Sequence, residues 1–227
     1  MEVNLGGPTR RYMAYLNTKR NKKPVVYGYI DASNLFYGGE KSLGWKIDYK
    51  KLYGYLKRRY GCKRIFYFGG IETSDYDHNY QSNESVPLLE LLKHLRGIAR
   101  NQSRGSRRHR KTEKHIQRVK FYKKLQDFGY NLVLKPVKEY RNPDGSRRRK
   151  ANSDLDMTLY MIKDINKYDE ALILSGDGDF LPVLKYLKHN KKKVTILARG
   201  PRTAREIKQF AGSNFRDFGT LRSLIER

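Results

Sequence analysis

One stretch decides the fold: Ala171-Leu172-Ile173-Leu174-Ser175-Gly176-Asp177-Gly178-Asp179-Phe180. Its short apolar run, followed by small residues, predicts a buried strand that ends in a turn. Such a turn lies at the carboxyl end of the strand, where open α/β sheets usually place their sites. The carboxylates of Asp177 and Asp179 are unfavourable so close together unless a cation or protons compensate them. The stretch therefore predicts a site, with a metal ion as its first candidate occupant.

Outward from this stretch, strand-like runs alternate with helical patterns. Runs rich in apolar, β-branched and aromatic residues predict four further strands, over 24–30, 64–70, 130–137 and 193–198. Residues with helical apolar spacing separate these runs. This alternation predicts an α/β fold with a mainly parallel, five-stranded sheet that helices cover on both faces.

The charge of the chain restricts its partners. The formal net charge is +26, from 49 Lys and Arg against 23 Asp and Glu in 227 residues. Self-repulsion of this size indicates a polyanionic partner, and nucleic acid is the leading candidate. An anionic membrane surface is the competing partner, but no basic amphipathic helix dominates the sequence. There is no apolar run near the ~20 residues that span a bilayer and no apolar signal core, so we expect a cytoplasmic protein without membrane contact.

Two basic segments interrupt the predicted domain. We expect residues 1–23 to be a basic tail and residues 24–227 to be one domain with insertions near 96–120 and 140–150. The first insertion predicts a flexible loop or a helix that orders on binding, and the turn signal Asn142-Pro143-Asp144-Gly145 makes the second a hairpin. The residues expected to contact phosphates are Arg104, Arg107, Arg108, Arg110, Lys111, Arg147, Arg148, Arg149 and Lys150.

More carboxylates stand at strand ends and helix starts. Asp31 follows the first strand, and Asp154 and Asp156 open the helix before the strand at 171–175. If the first and fourth strands are neighbours at a topological switch point, these acids converge with those of the opening stretch. A carboxylate cluster without Cys or His ligands suits Mg²⁺ or Mn²⁺. The competing interpretation of a single Asp after a strand is a cap or turn residue, and for Asp156 this structural role stays open.

Three segments, taken in order, resemble the NYN-domain (LabA-like) branch of the PIN-like nucleases. They are Tyr29-Ile30-Asp31-Ala32-Ser33-Asn34-Leu35, Lys150-Ala151-Asn152-Ser153-Asp154-Leu155-Asp156 and Leu174-Ser175-Gly176-Asp177-Gly178-Asp179-Phe180. The resemblance spans roughly residues 24–219. It implies a Rossmann-like three-layer sandwich and Mg²⁺- or Mn²⁺-dependent cleavage of RNA.

The resemblance also assigns roles to single residues. The residues that match the acidic metal site are Asp31, Asp154, Asp177 and Asp179, and Asn34 matches its supporting polar residue. We expect these five to be catalytic, and Asp156 matches a further metal position that is often acidic. In the expected reaction, a metal-bound water attacks the phosphorus of the RNA backbone. The two basic insertions depart from a minimal domain of this family and leave the choice of substrate open.

Two other functions are compatible with the sequence. A non-catalytic RNA-binding or adaptor protein would keep the acidic pocket without cutting the bound strand. A flap-type nuclease would act on DNA instead of RNA. Comparison of matched RNA and DNA substrates, beside Asp31→Asn and Asp177→Asn, separates these alternatives. The sequence leaves the oligomeric state open between a monomer and a homodimer.

Overall fold

The computed structural model describes residues 23–36, 41–81, 85–141 and 145–227, with the side chains of 141 and 147–150 left out. The predicted tail therefore lies outside the described residues, apart from Lys23. The turn residues Asn142, Pro143 and Asp144 of the predicted hairpin also lie outside them.

Two sheets are present in the described ranges. The strands, in chain order, are β1 (Val26–Asp31), β2 (Cys62–Ile71), β3 (Asn131–Pro136), β4 (Lys138–Arg141), β5 (Arg147–Lys150), β6 (Glu170–Leu174), β7 (Lys193–Ala198) and β8 (Phe215–Asp217). Six of them form a sheet in the order β3-β2-β1-β6-β7-β8, in which every pair is parallel. The other two, β4 and β5, form the predicted antiparallel hairpin.

The large sheet confirms the five predicted strands and adds a sixth at one edge. Strand β8 pairs with β7, with Phe215 opposite Ile196 and Asp217 opposite Ala198. Its sequence is only Phe-Arg-Asp, which is too short and too polar to show a strand pattern. Backbone pairing with its neighbour, rather than side-chain burial, therefore defines this strand.

Seven helices longer than one turn accompany the strands in the described ranges. They are α1 (Tyr49–Tyr60), α2 (Leu88–Arg100), α3 (Arg107–Asp127), α4 (Ser153–Lys163), α5 (Leu181–His189), α6 (Arg205–Ala211) and α7 (Arg222–Ile225). Single helical turns occur at Ala32–Asn34, Lys41–Leu43, Ile165–Lys167, Gly178–Phe180, Gly200–Arg202, Gly212–Asn214 and Phe218–Leu221. Within the ranges described above, none of the helices has the length and apolar character needed to cross a membrane.

The helices form two layers around the sheet. Buried residues of α1, α2, α3 and α7 form one apolar cluster, and those of α4, α5 and α6 form the other. Consecutive strand residues alternate between the two, as Ile30 in the first and Tyr29 in the second show. This arrangement is the expected three-layer α/β sandwich.

The first basic segment is a helical hairpin rather than a loop. Helix α2 continues to Arg100, and α3 begins at Arg107, well inside the basic segment. The hydroxyl of Ser106 accepts a hydrogen bond from the His109 amide at 3.1 Å and so caps the start of α3. The sequence pattern alone did not reveal this early start, because the first turn of α3 is wholly polar and lacks the apolar spacing of a helix.

Candidate functional site

The two strands at the centre of the sheet bring two distant parts of the chain together. Strands β1 and β6 are parallel neighbours, with Ile30 opposite Leu174. The next residue of each strand, Asp31 and Ser175, therefore lies at the carboxyl-end rim of the sheet. The Ser175 hydroxyl donates a hydrogen bond to Asp31 Oδ2 at 3.2 Å, across 144 residues of sequence.

Asp31 is a buried carboxylate, with only 4% of its surface exposed. Its Oδ1 accepts hydrogen bonds from the backbone amides of Ser33 at 2.9 Å and Asn34 at 3.2 Å. The pKa of Asp31 is raised from its ordinary 3.8 to about 6, mainly by burial and also by the nearby charge of Asp154, against the lowering effect of these hydrogen bonds. The site therefore holds negative charge in a place where a cation would be favoured.

Asn34 links the end of β1 to the opening stretch of the sequence. Its side-chain Oδ1 accepts a hydrogen bond from the Gly176 amide at 3.1 Å. In the same loop, the amide of Asp177 donates to the Ser175 hydroxyl at 3.3 Å. The carboxylate of Asp177 in turn accepts from the amide of Asp179 at 3.1 Å and caps the turn Gly178–Phe180. These bonds hold the acidic loop against Asp31.

The structure separates the predicted acids into three positions. Asp31 and Asp177 share the hydrogen-bonded rim through Ser175, and Asp154 is near enough to Asp31 to raise its pKa. Asp179 is exposed on the turn beside this rim. Asp156 instead forms an ion pair with Lys135 of β3, with 3.1 Å between Oδ1 and Nζ. The carboxylate of Asp156 thus has a basic partner in β3.

The acid set can be tested against a divalent cation by its donor chemistry. Among the residues that the structure describes, no three Asp, Glu, His or Cys side chains are grouped closely enough to hold a metal ion. The rim does offer carboxylate oxygens, which Mg²⁺ and Mn²⁺ prefer, and it concentrates negative charge in a buried place. The carboxylates of Asp31, Asp154 and Asp177 therefore have the donor type that such a cation takes, although the described side chains do not converge on one point as a three-ligand site.

Four residues at the rim are not among the site residues that the sequence predicts. Ser175 was interpreted only as a small turn residue, although its hydroxyl contacts Asp31. The backbone of Thr203 packs against Gly176, and the amide of Ala204 donates to the Gly176 carbonyl at 2.9 Å. The Glu206 carboxylate lies against Gly178 and adds an acid to this loop. Thr203 and Glu206 follow β7 and lie outside the three segments that carry the predicted acids.

The close contact at Gly176 makes a sharp prediction. A Cβ at this position would lie 2.9 Å from the Thr203 Cα and 2.6 Å from its Oγ1. We expect Gly176→Ala to lower the free energy of unfolding by about 2 kcal/mol, because backbone must shift to make room. A Cβ on Gly178 would clash with the carboxylate end of Glu206, which can rotate away, and would meet the Ala204 Cβ at an ordinary 3.5 Å, so Gly178→Ala is the matched control. Equal losses for the two variants in urea unfolding would contradict this explanation.

Two of the predicted basic residues, Arg108 and Lys111, lie near the same rim. Arg104 is in the turn between α2 and α3, and Arg107, Arg108, Arg110 and Lys111 are exposed at the start of α3. Arg108 and Lys111 line a cavity of about 410 Å³ together with Glu72 and Ser74, which follow the carboxyl end of β2. The backbone of Arg147–Lys150 forms β5 and leads toward the first turn of α4. Cations of α3 therefore flank the rim beyond β2.

The chain matches one family model and is similar to known proteins in sequence and in fold. The model of the NYN domain matches residues 26–218. The low amplitude and bright protein LabA of Synechococcus elongatus is 23% identical over 203 residues, which cover 88% of this chain and 86% of LabA. A crystal structure of a protein of unknown function from Vibrio parahaemolyticus has the same fold, with a TM-score of 0.55, 16% identity, and coverage of 85% of this chain and 91% of that one. This chain belongs to the NYN domain family.

Proposed function

We propose that this protein is a metal-dependent ribonuclease that hydrolyses phosphodiester bonds at the rim acids. NYN domains are in general nucleases of the ribonuclease type, and they generally use divalent metal ions. The observation that carries the proposal is the buried Asp31 carboxylate, whose pKa is raised by burial and by the charge of Asp154. A structural cap would not need a second carboxylate beside it.

The rim residues have distinct parts in this proposal. Asp31, Asp154 and Asp177 would hold Mg²⁺ or Mn²⁺, which supplies an activated water and stabilises added negative charge on the phosphate. Ser175 and Asn34 position the acids, since one donates to Asp31 Oδ2 and the other fixes the Gly176 amide. Asp179, exposed on the same turn, extends the acidic edge toward the bound strand. In this proposal, the hydrogen bonds of the loop 175–179 hold its carboxylates in place, so that they can face one phosphate without rearrangement.

The basic surface supports RNA as the polyanion. The net charge of +26 favours the approach of a nucleic acid, whose phosphates need no particular base sequence for this attraction. Arg107, Arg110 and Lys111 are exposed on the first turns of α3, and Lys111 lines the cavity beyond the carboxyl end of β2. An acidic rim within a basic surface would repel phosphates unless a cation bridges them, and this combination supports a metal-dependent reaction on RNA.

The proposal predicts strict dependence on a divalent cation. Purified protein should cleave a labelled single-stranded RNA with Mg²⁺ or Mn²⁺ and should lose this cleavage in EDTA, because the rim acids then lack their bridge to phosphate. Asp177→Asn should abolish the cleavage in either metal. A DNA of the same sequence in a parallel reaction tests the flap-nuclease alternative. Undiminished cleavage in EDTA would overturn the proposal.

A non-catalytic RNA-binding protein is the second candidate. It is favoured by the absence of any three grouped metal-ligating side chains in the described ranges and by the ion pair between Asp156 and Lys135. If the protein only binds RNA, its binding should be salt-sensitive and should be unchanged in Asp31→Asn and Asp177→Asn. The RNA should then be recovered intact with either Mg²⁺ or Mn²⁺. Recovery of cleaved RNA that disappears with Asp177→Asn decides for the enzyme.

A further inference from the structure

A cleft of about 580 Å³ opens beside the acidic rim. Its lining includes Tyr80, Lys135, Lys138, Tyr140, Leu155 and Asp156. Its size is within the range of pockets that take small organic ligands, roughly 300–1,000 Å³, so a nucleobase can enter it.

The cleft exposes apolar and aromatic surface to water. Tyr80 is 61% exposed, Tyr140 is 51% exposed and Leu155 is 67% exposed. Most of the other tyrosines pack in or against the core, as Tyr122 does with its hydroxyl bonded to the Gly70 carbonyl at 2.8 Å. Exposed aromatic surface grouped in one cleft indicates a binding site rather than core packing.

Positive charge accompanies these rings. The Lys138 ammonium lies over the Tyr80 ring, 5.5 Å from its centroid. Lys135 reaches the other side of the cleft, where it pairs with Asp156. In the hairpin, Lys138 is opposite Lys150 and Tyr140 is opposite Arg148 in the backbone register. Flat aromatic faces next to cations suit a ligand that carries both bases and phosphates.

The cleft and the acidic rim share one turn of helix. Asp154 in the first turn of α4 is close enough to Asp31 to raise its pKa, while the next residues, Leu155 and Asp156, line the cleft. A strand with its phosphate at the rim acids can therefore continue directly into the cleft with its neighbouring nucleotide.

We propose that this cleft binds unpaired bases of an RNA strand, which stack on Tyr80 and Tyr140 while Lys135 and Lys138 contact the adjacent phosphates. The inference rests on the proposed function, because it places the neighbouring phosphate at the rim. It names the substrate as single-stranded RNA. Bases in a duplex are stacked on each other and do not present free faces to the two rings.

The experiment measures RNA binding without cleavage. Fluorescence anisotropy in EDTA gives the Kd of a short single-stranded RNA and of a duplex of the same sequence. The double variant Tyr80→Ala/Tyr140→Ala should weaken single-strand binding at least about tenfold, because stacking on each ring is lost. Tyr80→Phe/Tyr140→Phe keeps both ring faces and should stay within about threefold of the wild type. Duplex binding should change little in both variants.

Two controls keep the outcomes distinct. Tyr186→Ala removes a tyrosine of α5 that is 46% exposed and not part of the cleft, and it should leave single-strand binding unchanged. The inference would be overturned if the Ala variant bound single-stranded RNA as tightly as the wild type, or if it lost affinity for duplex and single strand equally. It would also be overturned if the Ala variant changed its oligomeric state and this change accounted for the weaker binding. Because binding is read in EDTA, a chain that binds as expected but never cleaves contradicts only the proposed ribonuclease activity. Metal-dependent cleavage with unaltered binding in the Ala variant contradicts only the cleft.

Discussion

Asp31→Asn should lower the rate of metal-dependent RNA cleavage about a thousandfold, because the amide removes a buried negative charge from the reacting site. The exchange keeps the shape of the side chain. Its Oδ1 can still accept from the Ser33 and Asn34 amides, and its amide group can donate to the Ser175 hydroxyl in place of the bond it now receives. The initial rate on labelled RNA in Mg²⁺ or Mn²⁺ measures this loss.

The same variant should be at least as stable as the wild type at neutral pH in EDTA. The pKa of Asp31 rises from 3.8 to about 6 on folding, so the protonated form favours the folded state by about 3 kcal/mol. That stability is present below about pH 4 and is lost as the pH rises through about 6. The difference between wild type and Asp31→Asn in unfolding free energy should therefore grow between these two pH values.

Asp156→Asn is the matched control for this experiment. Asp156 is on the same helix turn as Asp154, but it pairs with Lys135 in a partly exposed ion pair. Such pairs contribute about 1 kcal/mol or less, so we expect less than about a tenfold loss of cleavage. A loss of cleavage as large as that of Asp31→Asn would place Asp156 among the metal ligands. It would contradict the separation of Asp156 from Asp31, Asp154 and Asp177.

The sheet could be predicted because its strands have strong local patterns. The run at 171–174 is wholly buried, and such runs mark strands that are covered on both faces. The adjacency of β1 and β6 in the sheet was also expected from general rules for parallel sheets. Strand β8 and the first turn of α3 could not be predicted in this way. They depend on pairing with β7 and on the Ser106 cap, which leave no apolar periodicity.

The sequence predicted where the backbone places the site residues, but it did not predict which side chains contact one another. Asp31, Asp154 and Asp177 were expected at one rim from strand ends and a helix start alone. The hydroxyl contact of Ser175 and the ion pair of Asp156 with Lys135 depend on how side chains pack between elements.

Replacement of Arg107, Arg108, Arg110 and Lys111 with Gln should weaken binding to single-stranded RNA about a hundredfold at low salt and should also stabilise the protein. All four are exposed at the start of α3, whose first turn contains no acid. Cations there are opposed by the positive end of the helix dipole, so their removal should stabilise the helix by about 1 kcal/mol. Bound phosphates also relieve this repulsion between the cations and the helix dipole. The cations that strengthen RNA binding are therefore the same ones that destabilise the free helix.

The salt dependence of binding tests whether these cations contact phosphates. If all four do, the slope of log Kd against log salt should decrease in magnitude by about 3, since each lost contact on a single strand removes about 0.7. The matched control replaces Lys163, Lys185, Lys188 and Lys208, four exposed cations on the helices of the opposite layer, with Gln. It removes the same charge, so an equal fall in its slope would mean that overall charge rather than the start of α3 attracts RNA. A variant of α3 that loses both RNA binding and thermal stability would show instead that the four residues support the fold.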